Sequence, residues 1–320
     1  MKVLVVGGAG YVGGAVVDRL IETRHEVRVV DALLYEEDYR KPVPFYYADV
    51  RDSSVMLPHL KWADAVIWLA ALVGDAACAL NPEVTTEINQ IPVAWLAKNY
   101  DGRIIFTSTC SVYGAQAGQV DETAPINPLS VYAATKLKAE EYLEKSNAIV
   151  FRLGTLFGVG DLYSRVRFDL IVNQLVVKAY TAGRIKVFGG EQFRPLLHVR
   201  DAAQAIVSAV EGKQRRVYNI LRQNVRIIDL AYQVRNHFPD LVIERTQMQV
   251  QDTRNYRVCG ERAAQELGFQ ARCSIDEGID EIKQLLQSRR IKDVDNPRYT
   301  NQIYLSQFNT HLLMKEKVVV

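Results

Sequence analysis

The chain has 320 residues, 48% of them apolar and 24% charged, which excludes a mostly disordered protein and suits two packed domains. Lys plus Arg at 39 nearly cancels Asp plus Glu at 37, so a net charge of +2 leaves no electrostatic footprint for nucleic acid or an anionic membrane. Cys78, Cys110, Cys259 and Cys273 form no CxxC and pair with no histidine, which predicts neither a metal site nor a disulfide framework.

No apolar run approaches the roughly 18 residues of a membrane span, and the start is too short before its glycines for a signal-peptide core. A reducing cytoplasm is the expected location. Residues 2–6, 26–30, 44–47, 65–69, 103–107 and 148–151 read as strands, because each is short and apolar throughout, as a strand covered on both faces must be. Helical stretches at 12–22, 82–99 and 131–145 lie between them. Strand–helix repetition of this kind predicts an α/β fold with a Rossmann-type, doubly wound parallel sheet.

Beyond Arg152 the rhythm loosens. Residues 154–167 read as a loop, 168–182 as a helix and 185–188 as a strand, followed by strand, helix and strand at 196–199, 201–210 and 217–220. Later helices are predicted at 227–237, 263–267 and 275–286, and the tail from 289 to 320 is assigned no structure. The expected division is a first domain at 1–152 with a return segment at 196–221. A smaller, partly interleaved α/β domain would comprise 153–195 and 222–288.

The first strand runs straight into Gly7-Gly8-Ala9-Gly10-Tyr11-Val12-Gly13 and a helix follows. Gly7 permits the sharp turn, Gly10 lets the backbone approach a pyrophosphate, and Gly13 allows close helix–strand packing. The helix N-terminus then offers unpaired N–H groups to phosphates. Asp31 ends the next strand 18 residues past Gly13, where its carboxylate suits both ribose hydroxyls and repels a 2′-phosphate. The predicted cofactor is therefore NAD rather than NADP.

Tyr132 and Lys136 stand four residues apart on one helical face. A neighbouring ammonium would lower the phenol pKa and make Tyr132 a general base toward a hydroxyl. The bland alternative is a solvated helix face. Ser108-Thr109-Cys110-Ser111 follows the fifth strand, at the carboxyl end of the sheet where ligand chemistry belongs. There Thr109 could bond the oxygen that Tyr132 deprotonates, the alternative being a strand-end turn of small polar residues.

With these residues the chain resembles the extended short-chain dehydrogenase/reductases, specifically the UDP-glucose 4-epimerase-like nucleotide-sugar epimerases and dehydratases. The carriers are Gly7-x-x-Gly10-x-x-Gly13, Asp31, Ala48-Asp49-Val50, Leu69-Ala70-Ala71, Asn89, Thr109 with Val112-Tyr113-Gly114, Tyr132-x-x-x-Lys136 and Phe193-Arg194-Pro195-Leu196-Leu197-His198-Val199. The resemblance implies NAD held by Gly7, Gly10, Tyr11, Val12, Gly13, Asp31, Asp49, Val50, Leu69, Ala70, Ala71 and Asn89, together with Tyr132 and Lys136. Catalysis would fall to Thr109, Tyr132 and Lys136. A nucleotide-diphosphate sugar would be met by Asp75, Ser111, Thr155, Arg167, Asn173, Arg194 and Asp252. Arg194 matches the arginine that grips the diphosphate. Asp75 has a rival role as a helix cap, and Arg167 belongs to a basic stretch, 165–169, that could hold an acidic sugar or a diphosphate, or be a solvated loop.

Cys110 and Ser111 replace the Asp-Glu that follows the catalytic Thr in sugar dehydratases, so second-acid chemistry loses its residues. The implied reaction is epimerisation, by oxidation of one sugar carbon, expected at C4, and reduction from the other face. A 4-ketoreductase shares every catalytic residue, a 4,6-dehydratase or decarboxylase comes third, and a non-catalytic dinucleotide sensor is the reading from another class. Family habit also implies a homodimer through the helices at 82–99 and 131–145.

Overall fold

The computed structural model describes residues 1–160, 163, 165–246 and 255–308. In chain order it holds β1 (Lys2–Val6), α1 (Tyr11–Ile21), β2 (Glu26–Asp31), β3 (Phe45–Tyr47), α2 (Ser53–Trp62), β4 (Ala65–Trp68), α3 (Asp75–Ala79), α4 (Pro82–Asn89), α5 (Ile91–Asn99) and β5 (Arg103–Thr109). A 3-10 turn at Cys110–Tyr113 precedes β6 (Gln119–Val120), α6 (Val131–Leu143), β7 (Ala148–Leu153), β8 (Thr155–Phe157) and α7 (Ile171–Ala182). Then come β9 (Arg184–Phe188), β10 (Phe193–His198), α8 (Val199–Ser208), β11 (Val217–Ile220), β12 (Gln223–Arg226), α9 (Ile227–His237) and β13 (Val242–Thr246). The last elements are β14 (Arg257–Val258), α10 (Glu261–Leu267), α11 (Ile275–Gln287), a 3-10 turn at Pro297–Tyr299 and α12 (Asn301–Phe308).

Seven strands form one sheet in the order β11-β7-β5-β4-β1-β2-β3, and every pair in it is parallel. Strands β4, β5 and β7 are buried from end to end, which is why their sequences carry no polar alternation. Helices cover both faces over two apolar clusters, one around Val5, Val16 and Ile206 and the other around Leu4, Leu96 and Phe106. The chain winds outward from β1 to β3 and returns as β4 on the other side of β1. That reversal opens a crevice beyond the carboxyl ends of β1 and β4. Across it stands a three-stranded sheet, β12-β10-β8, backed by an apolar cluster of α7, α9 and α11.

Several local expectations are corrected. The helix expected over 82–99 is two helices that meet at Gln90, because Pro92 has no N–H for the preceding turn and its ring crowds the carbonyl four residues back. Helix α2 was not expected; Asp52 starts it by accepting the N–H groups of Ser54 and Val55. The stretch read as a loop from 154 begins with β8, paired to β10. The tail is not structureless: residues 297–308 fold back onto α3. Among the described residues no helix is long and apolar enough to cross a membrane.

Candidate active site

The crevice is a cavity of about 350 Å³ between the β1 turn, the segment from Asp31 to Glu36, the end of β4, the end of β5, α6 and the loop before α7. Gly7 has φ +90°, and a Cβ there would lie 2.5 Å from Ala70 N. A Cβ on Gly13 would lie 2.2 Å from Gly7 O, so both glycines are demanded by packing. Gly10 differs: its nearest neighbour would be 3.4 Å away, close but tolerable, so the protein's own packing gives it weaker reason to be bare. A group approaching that backbone, in front of the α1 N-terminus, supplies the reason. This cradle fits a dinucleotide phosphate.

Asp31 closes the end of β2. Its Oδ2 accepts Ala9 N–H at 2.9 Å and its Oδ1 accepts Leu33 N–H at 2.8 Å. Burial raises its pKa, and these backbone N–H groups oppose the rise. Val12, Val50, Leu69, Ala70 and Ala71 line the cavity as expected, as does Asp49, whose carboxylate is gripped by Arg51 at 2.6 Å. Tyr11 lines the cavity and donates its hydroxyl to Gly158 O at 2.7 Å, tying the glycine turn to the chain just after β8. Asn89 is not on the wall. Its amide accepts Leu72 N–H at 2.8 Å and donates to Leu72 O at 2.9 Å, so it positions the chain beyond β4.

Thr109 ends β5, and its hydroxyl caps the 3-10 turn by accepting Ser111 N–H at 3.1 Å. Ser130 starts α6 by accepting Ala133 N–H, and this delivers Tyr132 and Lys136 to the cavity in successive turns. Thr109 hydrogen-bonds toward the Tyr132 phenol. The expectation of a lysine-acidified phenol is corrected: burial holds Tyr132 well above the usual phenol pKa, with Cys78 adding to the rise. Arg167 and Thr109, rather than Lys136, oppose it. Lys136 is itself the perturbed group. Its ammonium is buried 4.1 Å over the Phe106 ring, and desolvation brings its pKa down to about 7.

Between pH about 7 and 10.5 the unfolded chain therefore carries a proton on Lys136 that the folded chain lacks, and stability rises with pH across that window. Lys136→Met is expected to raise stability near pH 7 by about 1–3 kcal/mol while abolishing activity. The gain should shrink as pH climbs through the window, which paired melting curves of the two proteins would read.

The candidate substrate residues divide. Ser111, Thr155 and Arg167 line the cavity, and Asp75 does so too. The cap expected of Asp75 is corrected: Gly74, with φ +101°, is the N-cap, while Asp75 accepts a hydrogen bond from Ser130 Oγ at 2.7 Å. Arg167 is no solvated loop residue; it is buried and paired with Asp169 at 2.9 Å. Asn173 is fully buried off the wall, bonded to Gly158 N, Gly158 O and Arg167 O, and so holds Arg167 rather than a ligand. Arg194 is buried in β10 away from the wall, with Nη1 on Phe193 O at 2.8 Å. Asp252 lies outside the described residues.

The sequence reading missed a buried network beneath the site. Glu140, one turn after Lys136, meets Arg152 Nη2 at 2.7 Å and accepts from Ser108 Oγ. Arg152 Nη1 donates to the Tyr113 hydroxyl at 3.0 Å, and that hydroxyl to Asn219 Oδ1 at 2.8 Å. Five elements, β5, the 3-10 turn after it, α6, β7 and β11, are joined there. A Glu on a helix and an Arg in a strand give no spacing signal that would have found it.

Over residues 3–220 the sequence matches the NAD dependent epimerase/dehydratase family. A putative UDP-glucose 4-epimerase of Methanocaldococcus jannaschii is 27% identical over 304 residues, covering 88% of this chain and 96% of that protein. A probable dTDP-glucose 4,6-dehydratase of Sinorhizobium fredii is 27% identical over 318 residues, covering 87% and 91%. Among solved structures, a UDP-glucose 4-epimerase from Thermotoga maritima with UDP-glucose superposes with TM-score 0.80 at 24% identity, over 90% of this chain and 99% of that one.

Proposed function

The chain belongs to the NAD-dependent epimerase/dehydratase family, and from that premise we propose that it is a nucleotide-sugar epimerase acting at one carbinol carbon, C4. A dinucleotide held by the glycine turn and Asp31 would supply hydride acceptance and return at that carbon. Tyr132 exchanges one proton with the sugar hydroxyl, taking it as the carbon is oxidised and returning it as the carbon is reduced. Thr109 and the Arg167 guanidinium favour the phenolate that burial opposes. Lys136 is assigned to the nicotinamide ribose. The nucleotide sugar would lie between the seven-stranded sheet and the β12-β10-β8 sheet, over Ser111 and Thr155.

The observation that carries epimerisation over elimination is the turn after Thr109. It presents Ser111 and a buried Cys110 thiol, bonded to Arg152 O and pushed up by burial, where elimination chemistry needs a second acid. The expected homodimer would pair the faces of α4, α5 and α6, where Ile91 is 55% and Tyr142 37% exposed.

An epimerase returns every hydride it takes, so its cofactor need not leave. Protein passed through gel filtration and then denatured should release about one NAD per chain, and should invert one carbon of a UDP-, dTDP-, GDP- or CDP-sugar without added cofactor. Cofactor-free protein that consumes NADH or NADPH with a 4-keto sugar would make it the ketoreductase instead.

A further inference from the structure

Arg165 is a charged group on the cavity wall that the proposed reaction leaves without a task. It is 5% exposed, and its guanidinium sits 3.5 Å over the Tyr35 ring. Nη2 donates to Arg298 O at 3.0 Å and to Asn301 Oδ1 at 2.6 Å. Nε is buried with no hydrogen-bond partner. The nearby acids are engaged elsewhere, Asp169 with Arg167 at 2.9 Å and Glu36 with Arg298 at 2.9 Å. Burial, aided by Arg167, pulls its pKa down to about 10, as for a cation short of counter-charge. A buried cation without an anion is unfavourable, and one facing a ligand cavity is best explained by an anionic ligand.

Its neighbours say which anion. Tyr35 and Glu36 follow Asp31, and the adjacent Arg167 is close enough to Tyr11, in the first turn of α1, to act on its phenol. Arg165, Tyr35 and Glu36 share the cavity wall with the glycine turn and Asp31, the groups that cradle a dinucleotide. The C-terminal segment builds the arrangement. Asn301, 1% exposed, donates to Val73 O at 2.7 Å, and its backbone N–H reaches Asp169 Oδ2 at 3.1 Å. Arg298 also reaches Tyr35 O at 3.3 Å, the Tyr304 ring lies 5.2 Å from that of Tyr35, and Leu305 is buried against Leu72, Cys78 and Val84. One short segment thus ties together the chain beyond β2, the chain beyond β4 and the arginine loop.

We propose that Arg165 is a binding residue for the diphosphate of the dinucleotide, and that residues 297–308 are the strap that holds it over the cavity. Departure of the cofactor then requires the strap to loosen, which deepens the epimerase reading by giving retention a physical cause. The inference rests on the cofactor half of that reading alone.

The test is calorimetric titration of the full chain, freed of bound nucleotide, with NAD, adenosine and UDP separately. Arg165→Met should weaken NAD by about tenfold to a hundredfold, the scale of a hydrogen-bonded charge pair. Arg165→Lys and Asn301→Ala should weaken it less, in the same direction. Adenosine and UDP affinities should stay within about twofold of the unsubstituted protein, and the melting temperature of Arg165→Met should hold or rise, because an uncompensated buried cation is removed. Unchanged NAD affinity in Arg165→Met, an equal loss for adenosine, or an equal loss for UDP overturns the proposal, the last by assigning Arg165 to the nucleotide sugar. Should Arg165→Met fail to fold, Arg165→Lys decides alone by the same comparison. None of these readings involves turnover, so failure of the epimerase assignment and failure of the clamp are separately visible.

Discussion

Tyr132→Phe is expected to reduce turnover by about 10²–10⁴-fold, the usual contribution of a positioned general acid–base, while leaving NAD affinity within about twofold. The substitution removes one oxygen and no packing volume. The ring stays in place, and the hydroxyl it loses is the group that Thr109 and Arg167 act upon. The loss should fall on kcat and kcat/KM alike, because the proton moves in the transition state and not in the ground-state complex. Single-turnover assays on a substrate nucleotide sugar would check it, with NAD content measured on the same samples. A variant within tenfold of the parent would remove Tyr132 from the chemistry and leave it a buried cavity residue.

Glu140→Gln should destabilise the protein by about 3–5 kcal/mol, because it leaves the Arg152 guanidinium buried without its counter-charge. The two side chains are 6% and 4% exposed, so water cannot take over the missing interaction. Ser108 loses an anionic acceptor at the same time. A melting temperature lower by about 5–10 °C is the expected reading. Replacing both partners by apolar groups, Glu140→Leu with Arg152→Met, should recover part of the loss, since the buried charge itself is then gone. Glu140 also supports the charge on Lys136, so the single variant should shift the pH dependence of turnover downward in pH if neutral Lys136 is the active form and suppress turnover if the ammonium is. A melting curve unchanged by Glu140→Gln would show that the ion pair contributes nothing net to the fold.

Much of this was readable along the chain. The unbroken apolar runs at β1, β4, β5 and β7 announce strands buried on both faces, and alternation with helices permits only parallel pairing. The glycine turn, Asp31, Thr109 and the Tyr132–Lys136 pair are local signals: each is a residue type whose chemistry is useful at a strand end or on one helix face. The structure brings all of them to one cavity. What was misread had a non-local cause. Asn89 and Asn173 bear the right amides, yet each folds inward to satisfy backbone groups of a loop that only the tertiary arrangement brings near. The direction of the Tyr132 pKa was misjudged because desolvation depends on everything packed around a group, and spacing reports only one neighbour.

The sequence by itself determined the sheet, its crevice, the cofactor turn and the identity of the groups that could move a proton, because backbone geometry and side-chain chemistry are properties of short stretches. The tertiary structure alone decided which of those groups are wet or dry, that Glu140 and Arg152 share a buried pair, and that a tail with no periodicity packs beside α3 and bonds to Arg165. Burial and ion pairing are set by residues far apart in the chain, such as Arg165 and Asn301, 136 positions apart, and no local pattern encodes that meeting.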